Sequence, residues 1–376
     1  MKNSSNSIEH VYIHVPFCLQ KCGYCSFYSE VFSIESKQKY LKSLLKEIEL
    51  FHQQFEIKPK TIYFGGGTPS LLSNKEINSI LRQFDLSQIE EITLEANPVT
   101  LTEDYSKALS ITPVNRISLG IQSFDDKELK LLGRLHKTKQ AEFAIKILRE
   151  NGFSNISFDL IYGLPNQKIA DLKFSIEKFI ELDPKHISTY CLSLDENVPL
   201  FSKRDKIPAD DKVSESYFLI REKLLEADYH QYEISNFAKP GFESKHNLCY
   251  WNDKFYLALG PAASGYLPFK NEMIRHTAPS DLNRYIDQIK QKIICGNYQK
   301  ISREDHEKEF IFLAFRKTEG LNLTEFHNKF KIDFTKKYKL IIEKYLKQNL
   351  LAIESDFIRL SPEAYFVSNE ILAEFM

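Results

Sequence analysis

Three cysteines, Cys18, Cys22 and Cys25, stand in a CxxxCxxC pattern between Tyr12 and Phe27. Thiolates this close together can share one metal centre, and three of them leave a four-coordinate site one ligand short. A [4Fe-4S] cluster held by three protein thiolates keeps one iron open to an exchangeable ligand, and that is the chemistry the spacing predicts. A structural zinc site asks for four ligands, most often as two close pairs, but no second CxxC exists and Cys191, Cys249 and Cys295 stand alone. A disulfide framework is disfavoured too, because six cysteines in 376 residues are sparse and the polar start MKNSSNSIEH lacks the apolar core of a secretory signal.

Other residues of chemical interest fall at regular places behind the cysteines. Gly65-Gly66-Gly67-Thr68-Pro69 carries neither the Lys-Ser/Thr pair of a Walker loop nor GxGxxG spacing. Its bland reading is a flexible turn, but bare backbone also lets a small ligand approach closely. These residues need elements to hold them. Six segments rich in β-branched and aromatic residues, Val11–Phe17, Thr61–Phe64, Glu91–Ala96, Arg116–Gln122, Ile156–Tyr162 and His186–Leu194, alternate with stretches of helical spacing such as Tyr40, Leu44, Leu45, Ile48 and Phe51. Strand–helix alternation predicts parallel pairing with right-handed crossovers, hence an α/β fold. Six units suit a partial, TIM-like (β/α)6 barrel, with a doubly wound open sheet as the alternative. Either architecture gathers function at the carboxyl ends of its strands. There the cysteines follow strand one, the glycine run follows strand two, Glu95 and Gln122 end strands three and four, and Asp159 lies in strand five.

A helix is expected over 210–228, and a domain boundary near Asn236 divides a core of residues 1–236 from a smaller, mainly helical part of 237–376. Leu350 to Leu360 reads as a hairpin of the winged-helix kind. Fifty basic residues against 51 acidic ones give a formal charge of −1, which offers no broad surface for nucleic acid. No apolar run approaches the roughly 20 residues of a spanning helix, so a cytoplasmic protein without a transmembrane segment is expected.

The cysteine spacing, the Gly23-Tyr24-Cys25 step and the strand before it resemble the radical S-adenosylmethionine (SAM) superfamily, and the longer string resembles its coproporphyrinogen-oxidase-like branch. The resemblance implies that SAM chelates the open iron and is cleaved by one electron to a 5′-deoxyadenosyl radical. It also implies a SAM pocket made by Tyr12, Tyr24, Gly66, Gly67, Thr68, Glu95, Gln122, Arg134, Asp159 and Ser193. Two departures separate this chain from the branch's oxidases: Phe27 stands where those carry a further cysteine, and only a short stretch precedes Tyr12. The HNxxYW string His246-Asn247-Leu248-Cys249-Tyr250-Trp251 instead resembles the HemW heme chaperones. That implies heme as a third cofactor, with His246 as candidate axial ligand, Cys249 as the alternative, and Tyr250 and Trp251 packed on the porphyrin. The bland reading is a turn-capping His246 and a Trp251 that anchors a core. Relatives often carry a His in a GAHS turn, where this chain reads Gly260-Pro261-Ala262-Ala263-Ser264. The expectation is a heme chaperone that delivers heme to an acceptor protein and takes electrons from a donor. Its rivals are radical decarboxylation of coproporphyrinogen III and a zinc-binding structural barrel.

Overall fold

The computed structural model describes residues 7–269, 272–294 and 298–376, so Cys295 lies outside the described residues. Period-two patterning builds its centre. In strands β1 (Ile8–Val15), β2 (Ile57–Gly66), β3 (Glu91–Ala96) and β4 (Arg116–Gln122), one face carries Val11, Ile13, Val15, Ile62, Phe64, Ile92, Leu94, Ile117, Leu119 and Ile121, all buried. These pack outward against helices such as α1 (Ile34–Gln54), which contributes Leu44, Ile48 and Phe51 to the same apolar core. The alternate positions are polar: Tyr63, Glu95, Arg116, Ser118 and Gln122, then Asp159 of β5 (Ile156–Tyr162) and Ser188 of β6 (His186–Cys191), line an internal cavity. The inside of this barrel is therefore a polar vessel within an apolar sleeve.

Strands β1 to β6 pair in parallel in chain order, giving the expected six-unit partial barrel. Two flanks complete the sheet. Strand β9 (Leu257–Leu259) joins β1 in parallel, while β8 (Asn236–Ala238) pairs antiparallel with β6 and carries β7 (His230–Glu233) beyond it. The boundary expected at Asn236 thus falls on a strand of the sheet, and β9 beyond it belongs to the same sheet.

After β9, a three-stranded antiparallel sheet and helices Leu282–Lys290 and Arg303–Arg316 lead to a largely helical end, whose core is aromatic: Phe310, Phe315, Phe326, Phe330 and Phe334 are all buried. The hairpin pairs Leu351–Glu354 with Phe357–Leu360, as expected. Glu47 of α1 joins this part to the barrel, accepting hydrogen bonds from Tyr285 Oη at 2.7 Å and Gly260 N at 2.9 Å. Burial pushes its carboxyl up to about 7. Among the described residues no helix is long and apolar enough to cross a membrane.

Candidate functional site

A cavity of about 460 Å³ opens at the carboxyl ends of the strands and runs down into the barrel. Cys18, Cys22, Tyr24, Cys25, Gly66, Gly67, Thr68, Glu95, Gln122, Arg134, Asp159 and Ser193 all line it. Seven separate segments of chain bring these residues to one space, a convergence that individual residues could not disclose.

The cysteines occupy its mouth and are half-buried. Thr68 Oγ1 lies 3.6 Å from Cys18 Sγ, and Arg134 Nη1 lies 3.6 Å from Cys22 Sγ. Donors aimed at sulfur suit a negatively charged thiolate-bound cluster. No set of three or more His, Cys, Asp or Glu side chains among the described residues is arranged to hold a single metal ion. The loop is braced from α2 (Asp126–Leu132): Gly133 ends that helix at φ 75°, and Gly23 N donates to Leu132 O at 3.0 Å.

The glycine run has a role that its composition did not reveal. A Cβ on Gly66 would lie 2.5 Å from the His14 ring, and one on Gly67 would lie 2.6 Å from Phe17 O. These glycines are bare because β1 and the cysteine loop press against them. Backbone bonds follow from this contact, Gly67 N to Val15 O at 2.8 Å and Thr68 N to Phe17 O at 2.7 Å.

Deeper in, Glu95 accepts from Tyr63 Oη at 2.9 Å and from Gly66 N at 3.1 Å. Burial, and then repulsion from Asp159, push its carboxyl up to about 8. Burial raises Asp159 to about 6, against hydrogen bonds from Ser188 and Ser118 and the charges of Arg116 and Arg134. Two buried carboxyls that repel one another resist double ionisation, and a cation beside them would relieve that repulsion. Gln122 sits at φ 74° beside a register irregularity of β4 and holds its Oε1 buried without a hydrogen-bond partner, as does Arg134 its Nε. A residue at positive φ with an unused acceptor in a cavity wall calls for a partner that the protein itself does not supply.

Two expected residues stand elsewhere. Tyr12 is not in the cavity wall: its ring stacks on Tyr63 at 6.1 Å and its hydroxyl lies 3.1 Å from His14 Nδ1, behind the glycine run. His246, the candidate heme ligand, is buried with both nitrogens engaged. Nδ1 lies 2.7 Å from Thr61 Oγ1 and Nε2 2.8 Å from Tyr250 Oη, while burial pulls the imidazole down to about 3. In this geometry no nitrogen is free for an iron, so the reading as ligand is corrected to that of a satisfied structural histidine. Cys249 is likewise buried, its thiol held well above the ordinary value by burial. Trp251 packs under the Arg316 guanidinium at 5.4 Å. What the motif does supply is Asn247, which lines the cavity with Tyr63, Arg116, Ser118, Ser188 and Tyr190. The alternation of β4 and β6 could have singled out Arg116, Ser118, Ser188 and Tyr190. Asn247 is marked only as the second fixed residue of the HNxxYW string.

Comparison with known proteins agrees with this geometry. Residues 12–179 match the Radical SAM superfamily and residues 301–367 the HemN C-terminal domain. The chain is 36% identical to a protein named heme chaperone HemW from Lactococcus lactis, covering 97% of this chain and 96% of that one. It is 32% identical to the heme chaperone HemW of Bacillus subtilis, covering 98% and 99%. The structure of the Escherichia coli coproporphyrinogen III oxidase HemN, a radical SAM enzyme, superposes with a TM-score of 0.84 at 20% identity, over 98% of this chain and 90% of that one, a likeness of fold. The chain belongs to the HemW heme-chaperone family of the radical SAM superfamily.

Proposed function

We propose that this chain binds heme and passes it to an acceptor protein, with a [4Fe-4S] cluster on Cys18, Cys22 and Cys25 and exchangeable SAM in the cavity beneath them. The observation that carries the reading is identity of 36% to a heme chaperone over nearly the whole of both chains. The superfamily supplies the cluster and SAM, and with them one-electron reductive cleavage of a sulfonium.

This chain's own residues would do the holding. Glu95 and Asp159 present buried carboxyls whose charge a sulfonium or ammonium would stabilise. Arg134 and Gln122 offer the unused Nε and Oε1 to the polar ends of the ligand. Gly66, Gly67 and Thr68 carry the backbone past it, with Tyr24 and Ser193 at the rim and Tyr12 acting from behind through Tyr63. Heme, on this reading, has its iron ligand elsewhere than His246. Apolar side chains around the cysteine loop, Leu19, Phe27, Val31 and Ile34, are exposed, Phe27 at 67%, and suit a porphyrin face. An acceptor protein, an electron donor, a cytoplasmic setting and the division into 1–236 and 237–376 belong to the same proposal.

Anaerobic reconstitution tests it. The cluster-loaded protein should bind heme with a Soret band that His246→Ala leaves in place, and should convert no coproporphyrinogen III with SAM and reductant. Formation of protoporphyrinogen would overturn the chaperone reading in favour of the oxidase. One zinc and no labile sulfide would overturn both.

A further inference from the structure

The cavity continues below the carboxyls into a chamber that the cluster and SAM residues leave unexplained. Arg116 and Ser118 from β4, Ser188 and Tyr190 from β6, and Asn247 from α3 (Lys245–Trp251) face it. Register fixes the depth: Arg116 lies opposite Thr93, Thr93 opposite Tyr63, and Tyr63 opposite Tyr12, below the level of Glu95 and Ser118.

Arg116 is the anomaly. It is 2% exposed, and its Nε and Nη1 have no hydrogen-bond partner. The carboxylate beside it, Glu91, approaches to 3.7 Å from Nε, beyond hydrogen-bond reach. Glu91 is committed elsewhere, accepting from Lys245 N at 3.0 Å, His246 N at 3.1 Å and Thr93 Oγ1 at 3.3 Å. Asp159 is bonded by Ser118 and Ser188, and Glu95 by Tyr63 and Gly66. A buried guanidinium with unused donors is strongly unfavourable unless something accepts from it.

We infer that this lower chamber is a binding subsite for the carboxylate of a small organic molecule, with Arg116 as its anchor and Asn247 and Ser188 beside it. Guanidinium has only donors, arranged in a fork that matches the two oxygens of a carboxylate. A single negative charge is what the chamber accepts, because Glu91 and Asp159 already stand near and would repel a dianion such as phosphate. The subsite rests on the cavity wall alone and not on heme transfer, so it stands or falls apart from the chaperone reading.

Propionate is the probe, with propionamide as its uncharged counterpart. Both are titrated calorimetrically into the full chain carrying cluster and SAM, and propionate-soaked crystals locate the site. Propionate should bind in the chamber with its two oxygens on Arg116, propionamide at least about tenfold more weakly, and Arg116→Gln and Asn247→Leu should each lower propionate affinity by about tenfold. Asn247→Leu leaves the buried charges in place, so it decides the matter if Arg116→Gln does not fold. Ordered water alone in the chamber, equal binding of the two probes, or unchanged affinity in Asn247→Leu would overturn the subsite. Heme titration of the same variants is read separately.

Discussion

Two polar regions of the barrel differ in one respect. At the floor both ring nitrogens of His246 and of His186 have partners: His10, Thr61, His246 and Tyr250 form one chain of contacts between 2.7 and 2.9 Å, and Ser157, His186 and Tyr232 form another between 2.7 and 2.8 Å. In the cavity above, Gln122, Arg134 and Arg116 each keep buried polar atoms unpaired. Satisfied polar groups hold a fold together, whereas unsatisfied ones facing a space await a ligand. The contrast separates residues that resemble ligands in sequence from those that the structure leaves available.

The contrast can be broken experimentally. The largest effect belongs to the mouth: Cys22→Ala should abolish the cluster outright, read as loss of labile sulfide and of visible absorbance, while leaving the far-UV spectrum of the barrel. At the floor, His246→Ala strands the hydroxyls of Thr61 and Tyr250, so denaturant unfolding should register a loss of about 2–4 kcal/mol. SAM affinity, measured by equilibrium dialysis, should stay within about twofold, since the cavity residue that loses a contact is Tyr63, whose ring stacks on His246 at 5.1 Å and whose bond to Glu95 remains. Gly67→Ala tests the contact that joins the two loops. Its Cβ would collide with the Phe17 backbone, which predicts about 1–3 kcal/mol of destabilisation together with lower iron content.

Smaller effects sharpen the same line. Gln122→Ala removes an unpaired acceptor from a strained position, so SAM binding should weaken by about tenfold with little or no loss in melting temperature. Glu95 gives the gentlest signal, one of pH. Its folded value of about 8 lies above that of an unfolded glutamate, so the unfolded chain releases the proton first. Stability should therefore fall as pH rises from about 4.5 towards 8, and Glu95→Gln should flatten that slope. SAM, a cation, should bind more tightly across the same rise in the wild type.

Much of the barrel was legible because its signals are periodic. Strand alternation and the helical spacing of Tyr40, Leu44, Ile48 and Phe51 are written over many residues, and the cysteines are close in the chain as well as in space. Short strands carry no such period. Asn236–Ala238 and Leu257–Leu259 join the sheet through pairing with β6 and β1, which composition cannot express, and a boundary at Asn236 falls on the first of them. His246 misled for a related reason. A histidine beside Tyr and Trp looks the same in sequence whether its nitrogens meet a metal or the hydroxyls of Thr61 and Tyr250. Arg116 reads as an ordinary charge at the start of a strand until burial shows it inside.

The seam between Gly67-Thr68 and Phe17-Cys18 has a consequence for how the two cofactors communicate. One residue, Thr68, clasps the Phe17 carbonyl with its backbone and reaches the Cys18 sulfur with its hydroxyl. If Cys18 carries the proposed cluster, a ligand that shifts the glycine loop would move the donor at that sulfur, and the potential of the cluster would then report what the barrel holds.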